Sequence, residues 1–479
     1  NTRTRHSIEF DLAAGVDKDG RLLAKDMHSY SNQGAYASHG HAIAANGLTS
    51  WRLQYACPNI RGEAYTIYTN TPVGGAMRGY GIPQVCFAIE SFMDDVANEI
   101  HMDPLEFRRK NLIQGYYEDA YLKPIAANTN GIFECLEKGA EYIHWDEKRK
   151  EYAEQAGDVR KGVGMALFSY KTGVWPISLE IAGARLSLNQ DGSVQLMLGA
   201  TEIGQGADTV FSQMVAETLH TDMEHVHIKT VQDTDVSPFD TGAYASRQSF
   251  VTGTAVRHCA EILRDKILAY AKTLLPEIDT RELTLKDNWI WAGDEQAISL
   301  AALAEESYYS LTNSSVLTAE VSEQVKKNTI ATGCCFAEVE VDIKLGKIKI
   351  LHIINVHDSG KLLNPQLAEM QVHGGMSMGM GYGISEQLIL DEKTGRPLNG
   401  NLLDYKLMTM LDTPDIKADF VELCDPMGPY GNKALGEPPA IPCAPAIRNA
   451  VLHATGVAFY ENPLTPQRLI DGFKKAGLI

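Results

Sequence analysis

Residues 431–444, Gly-Asn-Lys-Ala-Leu-Gly-Glu-Pro-Pro-Ala-Ile-Pro-Cys-Ala, restrict the backbone more than any other stretch of the chain. One carboxylate, Glu437, stands between Gly436 and the pair Pro438 and Pro439. A residue before proline is pushed out of the α region, and the second ring stiffens the exit. The spacing therefore predicts an extended Glu437 on a nearly fixed backbone, with Gly436 letting another group approach closely. That suits a general base held in a mostly apolar pocket. Alone, such a sequence is more often a surface turn, so the other loops decide.

Those loops recur along the chain. Residues 7–70 read as strands and turns, alternating over 7–14 and 22–30. Between Thr71 and Gln84, four glycines and two prolines surround Arg78, which leaves backbone N–H groups facing something anionic or polar. Helices are predicted over 83–100 and from the Asp103-Pro104 cap to about residue 111. The polar, Tyr-rich residues 114–124 read as a boundary between a first subdomain, 1–117, and a second, 118–479. Residues 131–156 read as helical.

A β-rich region over 162–199 ends in Leu198-Gly-Ala-Thr-Glu-Ile-Gly-Gln-Gly206, with a helix following to about 219. Strand, glycine-rich loop and helix N-terminus together make an anion site. The glycine spacing matches neither the dinucleotide fingerprint nor the P-loop. After a strand over 226–231, a second small-residue loop, 239–249, feeds a helix to about 275. Strands follow over 335–343 and 347–356. Residues 364–383, with five glycines, read as a helix packed tightly on a neighbour. The last helix is predicted over 444–455.

Composition narrows the partners. The 43 basic and 61 acidic side chains leave a charge of −18, which argues against nucleic acid or an anionic membrane. No run approaches 18 apolar residues, so no membrane-spanning helix is expected. The first residues do not form a signal peptide, and the chain reads as beginning inside a domain. The eight cysteines form no CxxC pair, so an iron–sulfur or structural zinc site is not expected within it. Scattered thiols fit a reducing cytoplasm.

In order, Ala76-Met-Arg-Gly-Tyr-Gly-Ile-Pro-Gln84, Asp103-Pro-Leu-Glu-Phe-Arg-Arg-Lys-Asn-Leu112, Gly204-Gln-Gly206, Tyr244-Ala-Ser246, Asn364-Pro365 with Gln371, and Gly436-Glu-Pro-Pro439 form one pattern. It resembles the molybdenum-cofactor-binding part of xanthine dehydrogenase and the wider xanthine oxidase/aldehyde oxidoreductase family, over essentially the whole chain. The resemblance implies an α+β fold of mixed subdomains around a buried cofactor. It implies that Glu437 is the catalytic base and that backbone groups of Met77, Arg78 and Gly79 face the molybdenum centre. Gly204, Gln205, Ala245, Ser246, Gln248 and Gln371 would hold the pterin and its phosphate tail. The metal would be bound by the pterin dithiolene and by no protein ligand. A cytosine dinucleotide form of molybdopterin is implied, with iron–sulfur and FAD centres on partner subunits or domains.

The implied reaction inserts water-derived oxygen at an electron-poor carbon of a purine or related N-heterocycle. Two departures bear on it. The first part of the family's molybdenum-binding region is not in this sequence, so a further segment is needed to complete the site. Where purine-oxidising members place an arginine, this chain has Asn46. Tyr80 keeps one of two substrate-stacking rings, and Val174 or Trp175 takes the place of the other. An aldehyde oxidoreductase needs no such arginine and is the first alternative. A non-catalytic scaffold subunit is the second.

Overall fold

The computed structural model describes residues 3–115, 117–118, 124–125, 129–229 and 231–479. The boundary segment 114–124, with its division at 117/118, lies largely outside the described residues. The chain opens with β1 (Ile8–Val16) and β2 (Leu22–Gly34), antiparallel, then α1 (Gly40–Ser50) and β3 (Asn59–Tyr68), which pairs parallel to β2. Next come α2 (Ile82–Glu99) and α3 (Pro104–Asn111), whose first turn is capped by the Asp103 carboxylate accepting from the Leu105 and Glu106 amides.

A two-residue pair, β4 (Tyr117–Glu118) and β5 (Pro124–Ile125), precedes α4 (Ile132–Ile143) and α5 (Trp145–Glu151). Then β6 (Val159–Lys171), β7 (Ile181–Leu188), β8 (Val194–Leu198), α6 (Ala207–Leu219), β9 (Val226–Ile228) and α7 (Gly253–Leu274) follow. A small sheet of β10 (Leu283–Lys286), β11 (Trp289–Ala292) and β12 (Glu295–Ser299) leads through α8 (Leu300–Tyr309) to β13 (Thr318–Gln324). The chain ends with β14 (Ile330–Asp342), β15 (Lys347–Asp358), α9 (Pro365–Ile384), β16 (Ile416–Phe420), α10 (Cys443–Thr455) and α11 (Pro466–Lys475).

Two four-stranded sheets, ordered β13-β7-β8-β9 and β16-β15-β14-β6, carry the large cores. Each mixes antiparallel pairs with one parallel pair at an edge, so the fold is mixed α+β and not a doubly wound sheet. In the first sheet β7 and β8 bury Ala184, Leu186, Leu196 and Leu198 against α6 and α7. In the second, Ala337, Val339 and Ile353 meet α9 and α10 through Val372, Met376, Ala446 and Ala450.

Glycines set how closely α10 and α9 approach their neighbours. A Cβ on Gly164 of β6 would lie 2.1 Å from the Ala450 nitrogen, and one on Gly162 would lie 2.1 Å from the Ala450 oxygen. On α9, Gly375 would meet Pro439 at 2.4 Å and Gly379 would meet Cys443 at 2.8 Å. Gly375 and Gly379 therefore serve the tight packing expected of this stretch, while Gly374 leaves room for a Cβ.

Three expectations need correction. Residues 7–70 are not all strands and turns, because α1 lies among them. Its Gly40, Gly47 and Asn46 are poor helix formers, but a Cβ on Gly47 would come within 2.7 Å of Val85, so a close helix contact takes precedence over propensity. The helix expected over 131–156 is broken at His144, whose φ of 56° is left-handed. The strand expected over 226–231 is seen over Val226–Ile228, and residue 230 lies outside the described residues.

Two stability predictions follow from this packing. Gly164→Ala should lower the urea-unfolding free energy by about 1–3 kcal/mol through overpacking. Gly15→Ala, whose Cβ would sit at an ordinary 3.8 Å from Ala24, should change it little. His453 is held neutral by burial and by the Arg149 charge, which push its pKa down to about 4. The unfolded chain takes up that proton at about 6.5, so stability is present above about pH 6.5 and is lost as pH falls toward 4. His453→Asn, which keeps an acceptor for the Val163 N–H, should flatten urea midpoints across that window.

Candidate active site

Glu437 sits where four segments meet. The Gly79 N–H donates to its Oε1 at 3.0 Å, and the Tyr170 hydroxyl donates to its Oε2. Its own N–H donates to Ser246 Oγ at 3.0 Å, and that hydroxyl lies 3.4 Å from Oε2. The pocket is therefore lined by hydrogen-bond donors at the carboxylate, in place of the mostly apolar wall expected. Nor is Glu437 extended: its φ of −99° and ψ of −35° are right-handed, and it opens the 3-10 turn Pro438–Ala440. Its carbonyl accepts from the Ala440 N–H at 3.2 Å. These bonds together outweigh the local pressure from Pro438.

Arg78 ties this loop to α9. Its Nε donates to the Gly436 carbonyl at 2.6 Å, and its Nη2 donates to the carbonyl of Gln371 at 2.9 Å and to Oε1 of Gln371 at 3.3 Å. Burial pulls the guanidinium below its ordinary pKa while the Glu437 charge raises it. The Arg78 carbonyl accepts from Arg5 Nη2 at 3.1 Å, and Arg5 Nη1 is buried without a hydrogen-bond partner among the described residues. Met77 is 39 % exposed and its carbonyl accepts from the Tyr80 N–H, closing the turn that presents Gly79.

A second polar group adjoins across residues 245–248. Gln205 Nε2 donates to Gln248 Oε1 at 2.6 Å, and both side chains donate to the Thr201 carbonyl at 3.0 Å. Ala245 and Ser246 both take left-handed φ, at 50° and 49°, which turns Ser246 toward Glu437. Arg247 between Ser246 and Gln248 is fully buried, ion-paired to Glu180 and Asp240, and fixes the loop.

The amides at the start of α6, expected to receive an external anion, already have a ligand in the chain. Glu202 accepts from Gly204 N–H at 2.7 Å and from Gly206 and Asp208 N–H at 3.1 Å. Burial opposes its charge, yet these amides hold it below the ordinary carboxylate range. Gly204 presents an open face, since a Cβ there would meet nothing within 4 Å.

The expected substrate residues are placed less tightly. Asn46 on α1 donates to the Tyr80 carbonyl at 2.9 Å, so its amide supports the Tyr80 turn. Tyr80 has a left-handed φ of 49°, and its hydroxyl meets His39 Nδ1 at 2.8 Å. Val174 donates its N–H to Glu180, and the neighbouring Gly173 N–H donates to the Ala245 carbonyl at 2.9 Å. Trp175, half-buried, joins Pro176 through a cis peptide. Tyr170 and Glu202 were not singled out in the sequence: Glu202 lies within the glycine-rich loop 198–206 but was not read as a ligand of its amides, and only the fold brings Tyr170 to Glu437.

The site accommodates a polar, anionic organic group. A Cβ on Gly374 would meet only Arg78 Nη1, at 3.7 Å, and one on Gly436 only the Ser246 side chain, so the cradle between them is open. Arg5 Nη1, without a partner among the described residues, and the amides of Gln248 and Gln371 supply donors, while both N–H groups of Gln205 are spent on Thr201 and Gln248. Among the described residues no group of three or more His, Cys, Asp or Glu side chains could hold a bare metal ion.

Two family models for molybdopterin cofactor-binding domains match the chain, over residues 1–112 and 138–414. A putative xanthine dehydrogenase molybdenum-binding subunit of Escherichia coli is 47% identical over 100% of this chain and 64% of its own length. The chain thus spans about 64% of the length of these curated relatives. Among solved structures, quinoline 2-oxidoreductase from Pseudomonas putida superposes with a TM-score of 0.90 at 23% identity, over 98% of this chain and 62% of that one. Aldehyde oxidoreductase from Desulfovibrio gigas gives 0.81 at 25% identity, over 98% and 50%.

Arg78→Ala should remove the tie between Gly436 and Gln371, costing about 1–3 kcal/mol. Amide hydrogen exchange of residues 434–440 should quicken while that of β14 stays unchanged.

Proposed function

Because the chain belongs to the family of molybdopterin cofactor-binding domains, we propose that it forms the cofactor-holding and base-bearing part of a molybdenum hydroxylase acting on a purine or related N-heterocycle. The observation that carries this reading is Glu437 fixed at both carboxylate oxygens beside an open cradle of donors. The xanthine dehydrogenase relative supports the purine assignment. Gly204, Gln205, Ala245, Ser246, Gln248 and Gln371 hold the pterin and its tail, and the Met77–Gly79 backbone faces the metal. The cofactor is molybdopterin, in the cytosine dinucleotide form. Electrons leave to iron–sulfur and FAD partners, and a further segment of the molybdenum-binding region completes the site. The two family matches support a division near 117/118. Free thiols throughout the described chain support a reducing cytoplasm.

When bound, the cofactor supplies a two-electron acceptor and a place where water is activated. The chain's own part is orientation and proton transfer. Oε2 of Glu437 is engaged by Tyr170 and Ser246, whereas among the described residues Oε1 accepts only the Gly79 N–H. A carboxylate oxygen has two lone pairs, so Oε1 keeps one free to take the proton. Tyr80 and Trp175 flank the flat substrate.

A second reading, aldehyde oxidation, is favoured by Asn46, whose amide is committed to the Tyr80 carbonyl and brings no charge to the substrate. Relative rates on hypoxanthine and benzaldehyde, measured on the enzyme purified with its partners, decide between the two. Glu437→Gln should keep molybdenum and pterin bound yet lower kcat by roughly a hundredfold or more. Undiminished turnover in that variant would overturn the assignment.

A further inference from the structure

The geometry points to Tyr170 as the residue that positions Glu437 for proton transfer, holding Oε2 so that Oε1 is the basic atom. The inference rests on Glu437 being the base. Tyr170 lies near the end of β6 and is 3 % exposed, packed with Phe168, Ala434 and Ile441. Its hydroxyl donates to Oε2 of Glu437. Burial and the Glu437 charge push the phenol well above its ordinary pKa, so it stays protonated and acts as a donor.

The other groups facing Glu437 have different commitments. Arg78 spends its donors on Gly436, Gln371 and Met378. Arg5 donates to the Arg78 carbonyl, and the Tyr80 hydroxyl meets His39. Ser246 is 3.4 Å from Oε2 and already accepts the Glu437 N–H. The Gly79 amide is main chain and fixed. Tyr170 is therefore the side chain whose loss frees the carboxylate to turn and to lose its distinction between the two oxygens.

Tyr170→Phe keeps the ring in its cluster and removes only the hydroxyl. A strong donor on one carboxylate oxygen makes the two C–O bonds unequal, so its removal should shift the Glu437 carboxylate stretches. The first test uses the cofactor-free chain with 13C-labelled glutamate and infrared spectroscopy, the Glu437 bands being those absent in Glu437→Gln. Their splitting should narrow in Tyr170→Phe. In the cofactor-loaded enzyme, kcat should fall roughly tenfold with KM unchanged. 3-Fluorotyrosine at position 170, a stronger donor of nearly the same shape, should widen the splitting, and it serves equally if Tyr170→Phe fails to fold. Unchanged bands and unchanged kcat in both variants would overturn the inference. Turnover persisting in Glu437→Gln would remove the base and this role with it. Turnover lost there, with silent Tyr170 variants, would remove this inference alone.

Discussion

The site depends on how closely β6 and α10 pack. With no Cβ at Gly162 and Gly164, the helix backbone at Ala450 lies within van der Waals reach of the strand backbone. Side chains alternate along a strand, so Gly162, Gly164, Ala166, Phe168 and Tyr170 share one face. The six steps from Gly164 to Tyr170 cover about 20 Å at the usual strand rise. The helix runs back along this face, antiparallel to the strand, since Ala450 lies over the glycines while the loop before Cys443 reaches Tyr170 through Ile441. Contact at one end of the helix thus sets Glu437 opposite Tyr170 at the other. The α9 glycines Gly375 and Gly379 press on Pro439 and Cys443 from another side, which leaves the Glu437 loop little room to move.

Buried charges then connect the layers to this centre. Arg108, fully buried, pairs with Glu90 at 2.9 Å and Asp94 at 2.6 Å, and Glu90 also accepts from the Leu167 N–H of β6. Arg448 of α10 reaches Asp95 and the Ser91 carbonyl on α2, and Asn449 bridges Glu90 and Met165. Buried ion pairs add little net stability because desolvation offsets the attraction. Their directionality is what matters here. They hold α2, and through Ile82 the turn bearing Gly79, in one position against β6.

How far the sequence revealed this varies with the range of the forces involved. The helices with clear periodicity and capping, such as α2 and α3, were legible because local signals and burial agree. The glycine-rich α9 was legible because five glycines in an apolar run have few uses besides close packing. The motif residues around Arg78, Ser246 and Gln371 were legible as a set, and the fold brings them to Glu437. By contrast, α1 was hidden by its glycines: Gly47 makes room for Val85, more than thirty residues away, and Gly40 for Gln33. Glu202 was hidden because its ligands are backbone amides, which carry no residue identity. The right-handed backbone of Glu437 was misjudged because the local proline rule was weighed without the tertiary bonds from Ser246, Gly79 and Tyr170.

That last error bears on what a base requires. An apolar pocket would leave the carboxylate undirected, free to rotate about its terminal torsion, which has only broad wells. Here Oε1 faces a peptide N–H that cannot move without the backbone, and Oε2 faces a phenol locked in a core cluster. Two unlike donors, one main chain and one side chain, make the two oxygens inequivalent. The side chain then keeps a single open lone pair, on Oε1. Direction comes from the donors, and the donors come from the glycine seam that brings β6 and the Glu437 loop together.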